Sequence, residues 1–299
     1  MSNSQSSTKP RATYALTGHS LIGDPRTTPI RGDLADIKLA GKLFAPHYAV
    51  PLVKSCILPA TTLHEGPHES DEGTSRLLHG EEFAVLDIAG NWAWGYGVHD
   101  DYLGYLRFSA LGDMGDPTHI VTGSGALIVA APKVPSPLIK RLPMGARLSC
   151  GMITECGRYL TCGDGFVPLK HVVAIGDVSV DPVELALGLV GTPYLWGGRS
   201  GDAIDCSGLV QLCFALAGHD VPRDADMQEA DFGKMLDDGD PLGRGDLVFF
   251  PGHVGIMVDE ANIVHANSHH MKVSVESLAD VTSRFDDGEN GPVTARKRV

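Results

Sequence analysis

Gly191-Thr-Pro-Tyr-Leu-Trp-Gly-Gly-Arg-Ser-Gly-Asp-Ala-Ile-Asp-Cys-Ser-Gly-Leu-Val-Gln-Leu-Cys-Phe-Ala-Leu-Ala-Gly218 is the stretch on which the fold turns. From Ser207 to Ala217 apolar residues occupy nearly every face, and a helix that is apolar all round is buried. Gly218 supplies its stop and Asp205 its N-cap. Cys206 therefore falls in the first turn of a buried helix. Free backbone N–H groups and the helix dipole favour a thiolate there, so a lowered thiol pKa is expected. The same N–H groups can stabilise a developing oxyanion. Gly197, Gly198, Gly201 and Gly208 leave room for a substrate backbone beside the sulfur. Cys213, seven residues on among apolar neighbours, reads as core.

A thiolate nucleophile needs a base and a group that orients the base. Downstream, Gly245-Asp-Leu-Val-Phe-Phe-Pro-Gly-His-Val-Gly-Ile-Met-Val-Asp-Glu-Ala-Asn-Ile-Val-His-Ala-Asn267 predicts strands over 246–250, 253–258 and 262–266. If the last two form a hairpin with a three-residue loop, 259–261, Val258 pairs with Asn262 and Gly255 with His265. His253 and His265 then share a face and reach one another diagonally. A two- or four-residue loop would put them on opposite faces. Gly255 keeps that face open. A zinc site from Cys206, His253 and His265 is the competing chemistry, but no fourth ligand or Cys-x-x-Cys pair accompanies them.

Working toward the N-terminus, Asp181-Pro-Val-Glu opens a further helix, with Asp as N-cap and Pro at its first position, running to about Val190. Before it the pattern is β-like. Short β-prone runs separated by Gly, Asp and Asn fill residues 48–111 and again 118–175. Both segments carry Leu-x-x-Gly, at Leu77–Gly80 and Leu142–Gly145, then Gly-Tyr-Leu at Gly104 or Gly-Phe-Val at Gly165. This grammar resembles a tandem of bacterial SH3-like barrels. The expected division is a flexible N-terminal arm, 1–30; a first module, 31–115; a second module, 116–177; and a catalytic domain, 178–299.

The chain has 299 residues, 43% hydrophobic and 20% charged, enough to bury a core in two or three domains. Its formal net charge of −13 argues against nucleic acid, anionic membrane or polyanionic wall polymer as a partner. No apolar run approaches a membrane span, and residues 1–13 lack the apolar segment of a secretory signal, so a cytoplasmic location is expected. The six cysteines do not read as a disulfide scaffold. His64, His68 and His79 lie in or beside a polar loop and are not read as a metal site.

Tyr194-Leu-Trp-Gly-Gly, Asp205-Cys-Ser-Gly-Leu-Val, Pro222-Arg-Asp-Ala with Gln228, Gly245-Asp-Leu-Val-Phe-Phe and His253-Val-Gly-Ile together resemble the NlpC/P60 cysteine peptidases, in that family's order. With the two β-modules, the chain resembles their γ-D-glutamyl-L-diamino acid endopeptidases of the YkfC type. The resemblance implies an α+β papain-like catalytic domain preceded by two small SH3-like β-barrels. It implies hydrolysis of the γ-D-Glu–diamino acid bond in murein stem peptides with a free N-terminal L-Ala, in wall-peptide recycling, without a cofactor or metal. Cys206 is the implied nucleophile, His253 the base and His265 its orienting partner. Tyr194, Asp205 and Ser207 are the implied substrate contacts, with Glu81 and Tyr102 from the first module closing the cleft; Glu82 or Tyr105 are the alternatives there. Arg223 reads as a structural anchor. The rival readings are a cysteine amidase or acyltransferase on a non-murein substrate, and an inactive SH3-like binding protein.

Overall fold

A computed structural model describes residues 23–237, 239–286, 288 and 291–299. Most of the expected N-terminal arm, residues 1–22, lies outside them. Residues 24–30 are docked rather than loose: a turn at Asp24–Thr28 lies along the first module, where the Arg26 carbonyl accepts the Leu103 N–H.

The first module is a seven-stranded sheet in the spatial order Gly73–Leu78, Ala60–His64, Leu103–Arg107, Trp92–Gly97, Glu82–Ala89, Leu52–Cys56, Leu111–Gly112. Alternation decides its two faces. Cys56, Leu63, Leu77, Phe83, Val85 and Leu106 fill one core, while Trp94 and Tyr96 pack beneath the N-terminal segment. The sheet does not close, which corrects the expected barrel. Its edge strand Gly73–Leu78 meets the catalytic domain instead, where Arg76 donates to Ser200 Oγ (3.0 Å). The second segment likewise holds separate sheets of three and five strands among the described residues. Cys150 and Cys162 sit opposite one another in the latter.

In the catalytic domain, helix α1 (Pro182–Gly188) begins where the local chemistry dictates, with Asp181 accepting the Val183 N–H. Helix α2 (Cys206–Leu216) is buried at every position except Ala215. It packs on an antiparallel sheet ordered Lys234–Met235, Ala295–Arg298, Leu247–Phe250, His253–Met257, Asn262–Asn267, Lys272–Ser277. Helix α3 (Ala225–Asp231) flanks the N-terminus of α2, and α4 (Leu278–Phe285) covers the other face. The core between α2 and the sheet is aliphatic: Leu209, Val210, Leu212, Val254, Ile256, Val264 and Ala266. This packing fixes the helix N-terminus against the strands that carry the histidines.

Candidate active site

Asp205 holds the start of α2 with both carboxylate oxygens. Oδ1 accepts the Gly208 N–H at 2.7 Å, and Oδ2 accepts the Gly197 N–H at 2.8 Å. Arg223 then donates to both oxygens (3.0 and 2.7 Å) and to Ser207 Oγ (3.0 Å). Arg223 is 1% exposed, so this ion pair is wholly desolvated and stands only because the geometry is bidentate. Asp205 and Ser207 thus lie beside the nucleophile position, but their polar atoms are largely occupied by protein.

Cys206 is 5% exposed. The backbone N–H groups of Ser207 and Val254 favour its thiolate, as the helix position predicted. They do not prevail: burial, and next the Asp205 carboxylate, push the thiol up to about 12. The expectation of a lowered pKa is corrected accordingly. The free site rests as neutral thiol and neutral imidazole.

The hairpin has the register that brings the histidines together. Ile256 pairs with Val264 and Met257 with Ile263, and the Val258 N–H donates to the Asn262 carbonyl (2.8 Å). His253 Nε2 lies 2.8 Å from His265 Nδ1. Gly255 is required for this approach, since a Cβ there would stand 2.6 Å from Ile263 Cδ1 and 3.1 Å from His265 Cβ. Phe285, the last residue of α4, stacks on the His253 ring at 5.5 Å and 15°. Burial, then His265 and Arg284, push His253 down to about 3; burial also lowers His265. His253 is therefore an unprotonated imidazole at neutral pH. The two facing nitrogens are spent on each other, so these side chains do not present a zinc ligand set.

Behind His265 stands a residue the sequence reading missed. His265 Nε2 is 2.8 Å from Glu276 Oε1. Arg284 donates to both Glu276 oxygens (2.8 and 2.9 Å), and His270 Nε2 lies 3.1 Å from Oε2. Ser274 pairs with His265 in the next hairpin, and Glu276 is two residues on, on the same face. That alternation was the available signal, but it needed the register of a second hairpin.

Tyr194 is half-buried by Cys206. Burial, with Cys206 and Asp205, pushes its phenol up to about 12. Tyr102 reaches the cleft from the first module and donates to Asp224 Oδ2 at 2.9 Å. Glu81 does not reach it. Its position after Gly80, at φ 77°, turns the carboxylate back to accept the Leu78 N–H (2.8 Å) and to pair with Arg199 (2.8 Å). It serves the junction between domains and does not line the Cys206 cleft. Neither do Glu82 and Tyr105. The acids that do, besides Asp205, are Glu65 and Glu72 from the first module and Asp224 and Asp226 from the start of α3. Arg26 spans the acids at α3, donating to Asp224 Oδ2 (2.8 Å) and Asp226 (2.8 and 2.7 Å), with Asp24 taking its remaining N–H groups. The first module and the docked arm thus wall one end of the cleft.

Residues 191–285 match the model of the NlpC/P60 family, and residues 63–111 that of the bacterial dipeptidyl-peptidase Sh3 domain. The chain is 42% identical over 96 residues to dipeptidyl-peptidase 6 of Lysinibacillus sphaericus, covering 32% of this chain and 35% of that protein. It is 32% identical over 130 residues to the γ-D-glutamyl-L-lysine dipeptidyl-peptidase of Bacillus subtilis, covering 40% and 43%. The matches thus span well under half of those relatives. In fold, the chain resembles an NlpC/P60 family protein from Bacillus cereus with a TM-score of 0.69 at 18% identity, over 83% of this chain and 99% of that one.

Proposed function

We propose that the chain, whose residues 191–285 match the NlpC/P60 family model and residues 63–111 the bacterial dipeptidyl-peptidase Sh3 model, is a cysteine peptidase that hydrolyses the γ-D-Glu–diamino acid bond of murein peptides carrying a free N-terminal L-Ala. Cys206 Sγ attacks the γ-carbonyl carbon while His253 takes the thiol proton. N–H groups around the start of α2 receive the developing oxyanion. His253 returns the proton to the leaving amine of the diamino acid, leaving a thioester on Cys206. Water, deprotonated by His253, then releases L-Ala-γ-D-Glu and restores the thiol.

The observation that carries this reading is the closed, acidic end of the cleft. Tyr102, Glu65, Glu72 and Asp224 stand within the pocket that holds Cys206. A chain extended beyond the L-Ala would run into this wall, whereas an ammonium would find the Glu65 and Glu72 carboxylates, Asp224 being already held by Arg26 and Tyr102. The L. sphaericus and B. subtilis relatives are both dipeptidyl-peptidases by name, which fits a cut two residues from a free amine. A net charge of −13 suits soluble peptides better than the polyanionic wall, so we place the reaction in cytoplasmic recycling of released peptides. Residues 116–177 we read as a second SH3-like module that supports the first.

The test is cleavage of L-Ala-γ-D-Glu-L-Lys and its meso-diaminopimelate counterpart, with Cys206→Ala as control. Release of L-Ala-γ-D-Glu is expected, with kcat/KM lowered on the order of 100-fold by N-acetylation of the alanine. Wild-type protein that leaves both peptides intact defeats the proposal. Faster hydrolysis of the acetylated peptides would point to an amidase with another acyl substrate.

A further inference from the structure

Glu276 touches neither Cys206 nor His253, yet it is tied down more tightly than a surface acid needs to be. Arg284 holds both oxygens, His270 approaches Oε2, and Ser274 Oγ stands 3.4 Å from Oε1. Against the cost of burial, hydrogen bonds from Arg284, His265 and His270 keep the carboxyl down at about 2, so it is ionised throughout the neutral range. An ionised carboxylate only accepts. The 2.8 Å contact from His265 Nε2 to Glu276 Oε1 therefore requires the His265 proton on Nε2. A neutral imidazole carries one N–H, so His265 Nδ1 is a lone pair. The 2.8 Å contact to His253 Nε2 then has His253 donating. His253, also neutral, is left with its lone pair on Nδ1.

We propose that Glu276 is a positioning residue: clamped by Arg284, its carboxylate selects the His253 tautomer whose Nδ1 is free to take the Cys206 proton. This rests on the peptidase reading of Cys206 and His253. Without the carboxylate, His265 can carry its proton on Nδ1 and donate to His253 Nε2. That moves the His253 proton to Nδ1 and removes the base. The last turn of α4 serves both ends of the relay, since Arg284 fixes Glu276 while the adjacent Phe285 stacks on His253. No proton passes to Glu276. Its charge also raises the proton affinity of both imidazoles, against Arg284 and burial, and so supports the imidazolium formed during attack. The charged and titratable groups facing this pair are Glu276 on its strand, His270 in the preceding turn and Arg284 on α4. On the Cys206 side they are Asp205, Arg223 and Tyr194.

Glu276→Ala and Glu276→Gln test the assignment through two readouts. One is kcat/KM for L-Ala-γ-D-Glu-L-Lys as a function of pH. The other is the rate of Cys206 alkylation by iodoacetamide, followed by peptide mass spectrometry, which needs no substrate. Glu276→Ala should lower kcat/KM on the order of 100-fold, through kcat rather than KM, and slow alkylation at pH 7. Glu276→Gln, whose amide oxygen still accepts the His265 N–H, should recover most of both. Its acid limb should move to lower pH, because the lost charge no longer stabilises imidazolium. Wild-type alkylation and an unmoved acid limb in both variants overturn the proposal, as does a loss confined to KM. If Glu276→Ala fails to fold, the position of the Glu276→Gln limb decides. If wild-type protein leaves the tripeptide intact, the substrate assignment fails while alkylation, measured against pH, still decides this one.

Discussion

Six thiols share one chain, and their surroundings give them different chemistry. Cys213 lies two turns further along α2, is fully buried, and has its thiol pushed up by burial alone. Cys213→Ala should leave kcat/KM unchanged in a peptidase assay where Cys206→Ala abolishes it. The base gives a sharper prediction. His253 is pushed down from 6.5 to about 3, so it stays unprotonated as the pH falls through the range where an ordinary histidine gains its proton. The kcat/KM profile should therefore hold from pH 7 to pH 5; a fall centred near 6.5 would show that His253 is not so buried in solution. The place of Cys206 at a helix start and the meeting of His253 with His265 were legible because each is announced locally, by a cap, a glycine approach or a hairpin period. The thiol's pKa was not legible, because desolvation belongs to the packed core and no local motif carries it. Glu81 was misplaced for a related reason: the turn at Gly80 and its buried partner Arg199 are set by tertiary packing across 118 residues.

Elements explain what the site costs when altered. The start of α2 depends on Asp205, which caps the helix, closes the Gly197 turn and neutralises a buried Arg223. Asp205→Ala should destabilise the protein by about 3–5 kcal/mol, since it strands the guanidinium in the core; urea unfolding measures it. Asp205→Asn, which keeps acceptors for the same N–H groups, should cost less. Helix starts at Asp181 and Asp205 were readable because capping is chemistry between near neighbours. Sheet closure was not, because alternation fixes which face of a strand is buried and says nothing of what covers its edge. The Gly73–Leu78 edge found Arg199 and Ser200 in place of its own last strand. At Gly197, where φ is 74°, an added Cβ would lie 2.4 Å from the Gly73 carbonyl oxygen, so the two domains meet backbone to backbone.

For the whole molecule, acid should be damaging. His79 is pushed down to about 4 by burial and then by Lys140, His253 lies at about 3, and His265 is lowered as well. Each takes up a proton more readily when unfolded, so stability rises with pH between the folded and unfolded values. It is fully present above about pH 6.5 and is lost as the pH falls toward 4. His79 alone accounts for about 3 kcal/mol of that loss. Thermal unfolding from pH 7 to pH 4 should show Tm falling steadily, and a flat Tm would contradict the burial of these rings. The arm adds a consequence in the order of assembly. Arg26 meets Asp224 and Asp226 across 198 and 200 residues of intervening chain. Contacts so distant along the chain form late, after the local hairpins and helices have paid out their slack. A polypeptide still emerging from the ribosome has made the arm and the Sh3 fold long before the nucleophile's own helix exists, and the stop at the cleft's end waits for the last domain to arrive. The end of the cleft is thus the last part to be completed: it is finished only when Asp224 and Asp226, which follow Cys206 in the chain, meet Arg26.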